Sequence, residues 1–203
     1  MRAVILNGTL KPHPEPSSTA ELAEDVIRAL GKHQVDATCI RLADYSIAPG
    51  VVSEAVSDDD QWPEIREQVV SAEIVIFATP TWLGQPSSVI KGALERLDAL
   101  MSETGDDGVP VALNRVAGFI VVGNEDGAHH CIAEMAQAAI DIGFTVPGQC
   151  WTYWNRGPGP SDEVYLTTGD RGWTRRTAAL MAHTLVHTAR ALHASPIPPP
   201  PEV

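Results

Sequence analysis

Five short apolar runs, at about residues 2–6, 36–42, 73–79, 115–122 and 144–151, alternate with segments of helical periodicity at about 18–31, 62–71, 87–101 and 128–142. This alternation leaves the chain few choices. Strands that take turns with helices pair in parallel, and the helices must cover both faces of the sheet, which predicts three layers. A last helix, about 173–193, carries Ala178, Leu180, Met181, Leu185, Val186, Ala189 and Leu192 at spacings suited to one buried stripe. At 203 residues the chain is long enough for one domain with a complete core and no metal or disulfide staple. We expect that domain to span 1–193. The remainder, 194–203, is a tail rich in proline whose segment Pro196 to Pro201 should be extended and exposed, either a disordered end or an arm on a neighbouring subunit.

Fourteen basic residues against twenty-six acidic ones give a net charge of −12, which disfavours nucleic acid and anionic membranes as partners. No local basic patch offsets it. Met1-Arg2 runs straight into a strand without a signal-peptide pattern, and no apolar stretch reaches the roughly 20 residues of a membrane span, so a cytoplasmic location is expected. Cys39, Cys131 and Cys150 are widely spaced in apolar surroundings and read as small buried hydrophobes, with no metal motif.

Chemistry concentrates where strands end. After Asn7 the chain runs through Gly8-Thr9-Leu10-Lys11 and three prolines to Ser17-Ser18-Thr19, where a helix begins. Hydroxyls and unpaired amides at a helix N-terminus favour an anion, which suits a phosphate; the same three residues also serve as a plain N-cap cluster. The loop lacks both the Gly-Lys-Ser/Thr ending of a nucleotide triphosphate loop and the G-x-G-x-x-G dinucleotide pattern. Two irregular stretches, Asp44 to Gln61 and Thr152 to Gly172, are long enough to carry function.

A more specific pattern follows the third run. Glu73 to Ala78 leads into Thr79-Pro80-Thr81-Trp82-Leu83-Gly84-Gln85-Pro86-Ser87-Ser88 before a helix that contains Lys91 and ends in Glu95-Arg96-Leu97-Asp98. This resembles the flavodoxin-like NAD(P)H-dependent FMN reductases, whose third-strand loop reads Thr-Pro-x-(aromatic)-x-Gly-x-x-Ser; the helix end departs modestly from the family's acidic pair. Asn7-Gly8-Thr9 with Ser17-Ser18-Thr19 is similar to that family's phosphate loop, and Val121 to Ala128 to its loop after the fourth strand. The resemblance covers about residues 1–150, with a weaker match in the last helix. Asp58 to Ile65 looks most like the subgroup related to iron–sulfur flavoproteins, but the clustered cysteines that hold a cluster there have no counterpart in this chain.

The resemblance implies a flavodoxin-like three-layer doubly wound sandwich, with a five-stranded parallel sheet in the order 2-1-3-4-5. It implies FMN as cofactor, with NADPH or NADH as electron donor. The phosphate would be held by Thr9, Ser17, Ser18 and Thr19, with added charge from Lys11. The ring would lie along Pro80, Thr81, Trp82, Leu83 and Gly84, and be bordered by Gly123, Asn124, Glu125, Asp126 and Gly127. Trp82 would stack on the ring or serve as a lid or interface aromatic, and Asp126-Gly127 also reads as an ordinary turn. His129 and His130 point about 100° apart on a helix and are left outside the site. Trp151, Tyr153 and Trp154 wall a pocket or bury an interface.

The function so implied is an FMN-dependent NAD(P)H oxidoreductase that passes electrons to a quinone, free flavin or other small acceptor, with no separate catalytic side chain required. Such reductases commonly form homodimers or homotetramers. Two alternatives belong to other classes: an electron-carrier flavodoxin, which the acidity favours, and a flavodoxin-like interaction module without cofactor.

Overall fold

The central apolar runs form strands because both of their faces are covered. In the computed structural model, which describes residues 1–199, β1 (Arg2–Asn7) leads to α1 (Ser18–Gly31), β2 (Asp36–Arg41), α2 (Trp62–Val70) and β3 (Ile74–Trp82). Then come the two-residue β4 (Gln85–Pro86), α3 (Ser88–Leu97), β5 (Val116–Gly123), α4 (Ala128–Ile142), β6 (Trp151–Asn155) and α5 (Gly172–Ala194). The parallel strands run β2-β1-β3-β5-β6, the order expected for a flavodoxin-like doubly wound sandwich.

α1 and α5 pack together on one face of the sheet, and α3 and α4 on the other. The core between the layers is continuous, with Phe77 stacked on Phe119 at 6.0 Å and meeting Phe144 edge-on at 6.1 Å. Strand order reverses beside β1, because the chain passes from β1 outward to β2 and then back across to β3. The crevice at the carboxyl ends of these strands is where such sheets place their ligands.

Several details differ from the sequence reading, among them the antiparallel β4, which the five-strand reading did not contain. The fifth parallel strand lies at Trp151–Asn155, not 144–151. Thr145 makes only an isolated bridge to Val116, and Pro147, which has no N–H to donate, with Gln149 at φ 57° breaks the run before pairing resumes. The third helix ends at Leu97 and tightens into a 3-10 turn over Asp98–Ser102. On α5 the buried stripe is Ala178, Met181, Ala182, Leu185, Val186 and Ala189, whereas Leu180, 200° around the helix from Ala178, is exposed. The tail is exposed as expected, but Ile197 exchanges two hydrogen bonds with the Asn114 side chain, at 2.9 and 3.1 Å. Pro200 and Pro201 lie outside the described residues.

Candidate functional site

The carboxyl ends of β1, β3 and β5 open into one cleft of about 190 Å³. Its first wall is the loop between β1 and α1. Ser17 caps α1 by accepting the Ala20 amide at 3.3 Å, while its hydroxyl donates to Thr9 Oγ1 at 3.0 Å. Asn7 Oδ1 accepts the Thr9 amide at 3.0 Å and fixes where the loop leaves the strand. The amides that open α1, those of Ser18 and Thr19, belong to the first turn, which has no intrahelical acceptor, and they carry the positive end of the helix dipole. Lys11 lines the same wall, but its Nζ is turned to the Pro16 carbonyl at 3.2 Å.

The loop is held in place from two sides. Arg41, at the end of β2, donates through Nη1 to the carbonyls of Pro12 and Glu15 at 3.2 and 2.9 Å, and the His13 amide donates to Asp44 at 2.6 Å. On the inner side Ser87, the cap of α3, donates to the Gly8 carbonyl at 2.6 Å. A side chain at Gly8 would meet Ile90 Cβ at 2.7 Å, so glycine is required for the loop to lie this close to α3. The loop that lines this side of the cleft is therefore fixed from both sides.

The second wall is Pro80, Thr81 and Trp82 at the end of β3. Trp82 is 52% exposed and Leu83 92% exposed. Leu83 and Gly84 have φ of 53° and 76°, the positive pair of a tight hairpin turn, and this turn folds β4 back antiparallel on β3. The third wall is Val122, Gly123 and Asn124. A Cβ on Gly123 would stand 2.9 Å from Thr81, so the two walls close on each other only because that residue is glycine.

Ten of the expected residues line the cleft together: Thr9, Lys11, Ser17, Ser18, Thr19, Pro80, Thr81, Trp82, Gly123 and Asn124. Five do not. Leu83 points to solvent, and Glu125 and Gly127 brace the hairpin from behind, Glu125 by accepting the Gly84 amide at 3.3 Å and Gly127 by packing on the Gly84 backbone. Gly84 belongs to that brace, and Asp126 packs against Gly157. Cys131 sits beneath the hairpin, 3.6 Å from the Gly84 carbonyl; burial pushes its thiol up to about 11, which keeps it protonated near neutral pH.

A fourth wall is made of Trp154, Val164 and Tyr165; Leu10, Val122, Val164 and Tyr165 were not among the expected site residues. Trp154 was legible as part of the aromatic cluster that ends β6; alternation along the strand turns it into the cleft, while Trp151 and Tyr153 stack on the opposite face beside His129. Tyr165 had no local signal, because it lies in the irregular segment 156–171 and reaches the cleft only through long-range contacts. His129 and His130 stay outside the cleft, His130 paired with Glu134 at 2.8 Å. Among the described residues no group of three or more His, Cys, Asp or Glu is placed to hold a metal ion.

One end of the cleft thus offers hydroxyls and helix-terminal amides, and the rest offers flat apolar and aromatic walls. That combination suits a phosphate monoester joined to a planar ring. The family described as NADPH-dependent FMN reductase matches residues 1–158. A divalent metal cation transporter, MntH, of Mycobacterium bovis is 36% identical over 96% of this chain, but the chain spans only 29% of its length, and no helix among the described residues is long and apolar enough to cross a membrane. The 8-demethyl-8-aminoriboflavin-5′-phosphate synthase of Streptomyces davaonensis is 30% identical over 97% of this chain and 80% of its own. The crystal structure of RosB with bound 8-demethyl-8-formylriboflavin-5′-phosphate superposes with a TM-score of 0.85 at 30% identity, covering 97% of this chain and 82% of RosB. From its sequence and its fold, the chain belongs to the NADPH-dependent FMN reductase family.

Proposed function

We propose that this protein is an FMN-dependent oxidoreductase that draws electrons from NADPH or NADH and delivers them to a small acceptor such as a quinone or free flavin. The observation that carries this reading is the single cleft in which the hydroxyl-rich start of α1 is continuous with the Pro80–Trp82 wall. Its donor set fits the 5′-phosphate of FMN: Thr9, Ser17, Ser18 and Thr19 supply hydroxyls, the start of α1 supplies amides, and Lys11 is the cation among the described residues that line the cleft. Bound FMN supplies two-electron exchange with a nicotinamide and onward delivery to an acceptor. The chain's own part is to hold the phosphate, to seat the ring between Pro80–Trp82 and Val122–Asn124, and to exclude water with Trp154 and Tyr165. No general acid or nucleophile is needed from the cleft.

In this reading residues 1–193 act as one flavin-binding unit in the cytoplasm. Leu10, Trp82 and Leu83 are exposed at the cleft mouth and support self-association into a homodimer or homotetramer, which light scattering would refute by returning the mass of one chain. The function is tested by anaerobic addition of NADPH, then NADH, to the FMN-loaded protein, followed by a quinone. Loss of the oxidised flavin spectrum and its return with quinone is expected. Bound FMN that stays oxidised would instead mark an electron carrier.

The relationship to the aminoriboflavin phosphate synthase favours a second reading, in which the cleft receives a flavin phosphate as substrate. Mass spectrometry of flavin recovered after turnover separates the two. An unchanged FMN mass keeps it a cofactor, and a changed one makes it a substrate.

A further inference from the structure

The segment 156–171 between β6 and α5 crosses the side of the cleft as a strap with little core of its own; only Tyr165 and Thr168 within it are buried. It is held by polar ties at several points, the first of them the Arg156 amide on the Gly123 carbonyl at 3.1 Å. Near its start the Asn124 side chain donates to the Ser161 carbonyl at 2.6 Å, and the Ser161 amide returns a bond to the Asn124 carbonyl at 2.9 Å. Near its end the Tyr165 hydroxyl donates to Asp25 Oδ2 on α1 at 2.5 Å. Asp25 Oδ1 in turn accepts from Arg28 at 2.6 Å and from Arg175 at 3.2 Å. Arg171 lies over the Tyr165 ring at 4.5 Å, donates to the Tyr165 and Leu166 carbonyls, and pairs with Glu21 at 2.6 Å.

Along these ties the strap presents Val164 and the Tyr165 ring to the cleft, with that ring edge-on to Trp154 at 5.8 Å. A segment with few buried apolar contacts opens at a small fraction of the global unfolding cost, so its polar ties decide how often it opens. Asp25 does not line the cleft. It is buried on α1 and reaches the site only through Tyr165.

We propose that Asp25 and Tyr165 form a latch which holds the 156–171 strap shut along the cleft and thereby sets how slowly a flavin phosphate leaves it. Asp25 is a positioning residue, and Tyr165 is both wall and catch. The inference rests on the reading of the cleft as a flavin site. It also bears on the choice between cofactor and substrate, since a closed latch retains a resident group and a loose one lets a substrate exchange.

The test compares the wild type with Tyr165→Phe, which keeps the ring in the wall and removes the catch, and with Asp25→Asn. FMN-loaded protein is diluted into a flavin trap and release is followed by the return of flavin fluorescence; in parallel the flavin-free protein is exposed to brief chymotrypsin cleavage, and its urea midpoint is recorded. Loss of a hydrogen bond to a buried carboxylate is expected to speed release of FMN by about tenfold or more in Tyr165→Phe, with faster cutting between 156 and 171. Release at the wild-type rate overturns the latch, even if the urea midpoint falls, because a merely structural tie would act there alone. Should the wild type take up no FMN, the functional reading fails, and the latch is judged on cleavage alone: faster strap cutting in Tyr165→Phe supports it and an unchanged rate overturns it.

Discussion

Asp25 carries a charge on the face of α1 that buries Leu22, Val26 and Ala29. Burial by itself raises its pKa, but hydrogen bonds from Tyr165 and Arg28 and the charges of Arg175 and Arg28 outweigh burial and hold the carboxyl below its ordinary 3.8. Because the folded value is the lower one, Asp25 adds stability above about pH 3.8, and that contribution is lost as pH falls through the folded value. Asp25→Asn should therefore cost about 2 kcal/mol near neutral pH, the worth of hydrogen bonds to a charged group, and almost nothing at the acid end. Urea unfolding at a series of pH values checks this; a deficit that stays constant down to pH 2 would show that the carboxylate charge is not what matters. Such a residue is hard to read from sequence. Glu21, Glu24 and Asp25 look alike as an acidic stretch of helix, and only the long-range partners Arg175 and Tyr165 single out the last.

Elements were legible where one local pattern decided them. The central strands are continuous apolar runs, and Ser17 and Ser87 mark their helices as N-caps, so β1, β3, β5, α1 and α3 lie close to where the sequence places them. Edges were less legible: β6 slipped because Pro147 and Gln149 interrupt an apolar run, and β4 exists only through the turn at Leu83-Gly84. The two irregular stretches also part company. Segment 156–171 supplies a cleft wall, whereas 44–61 is a structural clasp. Its Asp60 accepts the amides of Ala48, Val56 and Trp62 and pairs with Arg96 at 2.9 Å, both side chains fully buried. Arg96 also donates to the carbonyls of Ala48 and Glu54 and lies over Trp62 at 5.5 Å. Arg96→Leu should leave Asp60 buried without its partner and cost about 3–5 kcal/mol in urea unfolding, with part of that recovered in the double variant carrying Asp60→Asn. A loss below about 1 kcal/mol would mean that the clasp is wet or already open.

At the scale of the whole molecule, the parallel order brings three loops distant in sequence to one edge, after Asn7, Trp82 and Gly123. That convergence is why the candidate site was largely readable: each loop announces itself by residues needed at a strand end, such as Gly8, which cannot carry a Cβ against Ile90, or Ser17, which caps α1. The Val164 and Tyr165 part of the fourth wall was not readable, since it depends on how a loop rich in glycine and proline settles against α1. In the proposed function the start of α1 holds the phosphate of FMN. Fluorescence-quench titration of FMN against the wild type and Ser18→Asp tests that placement. A carboxylate at the first position of α1 suits the helix dipole and should leave stability equal or slightly higher. The same charge placed against a phosphate should weaken FMN binding by about a hundredfold, since a charge pair at close range near a surface is worth several kcal/mol before screening. Equal affinity for FMN in the two proteins would show that the phosphate does not lie at the start of α1.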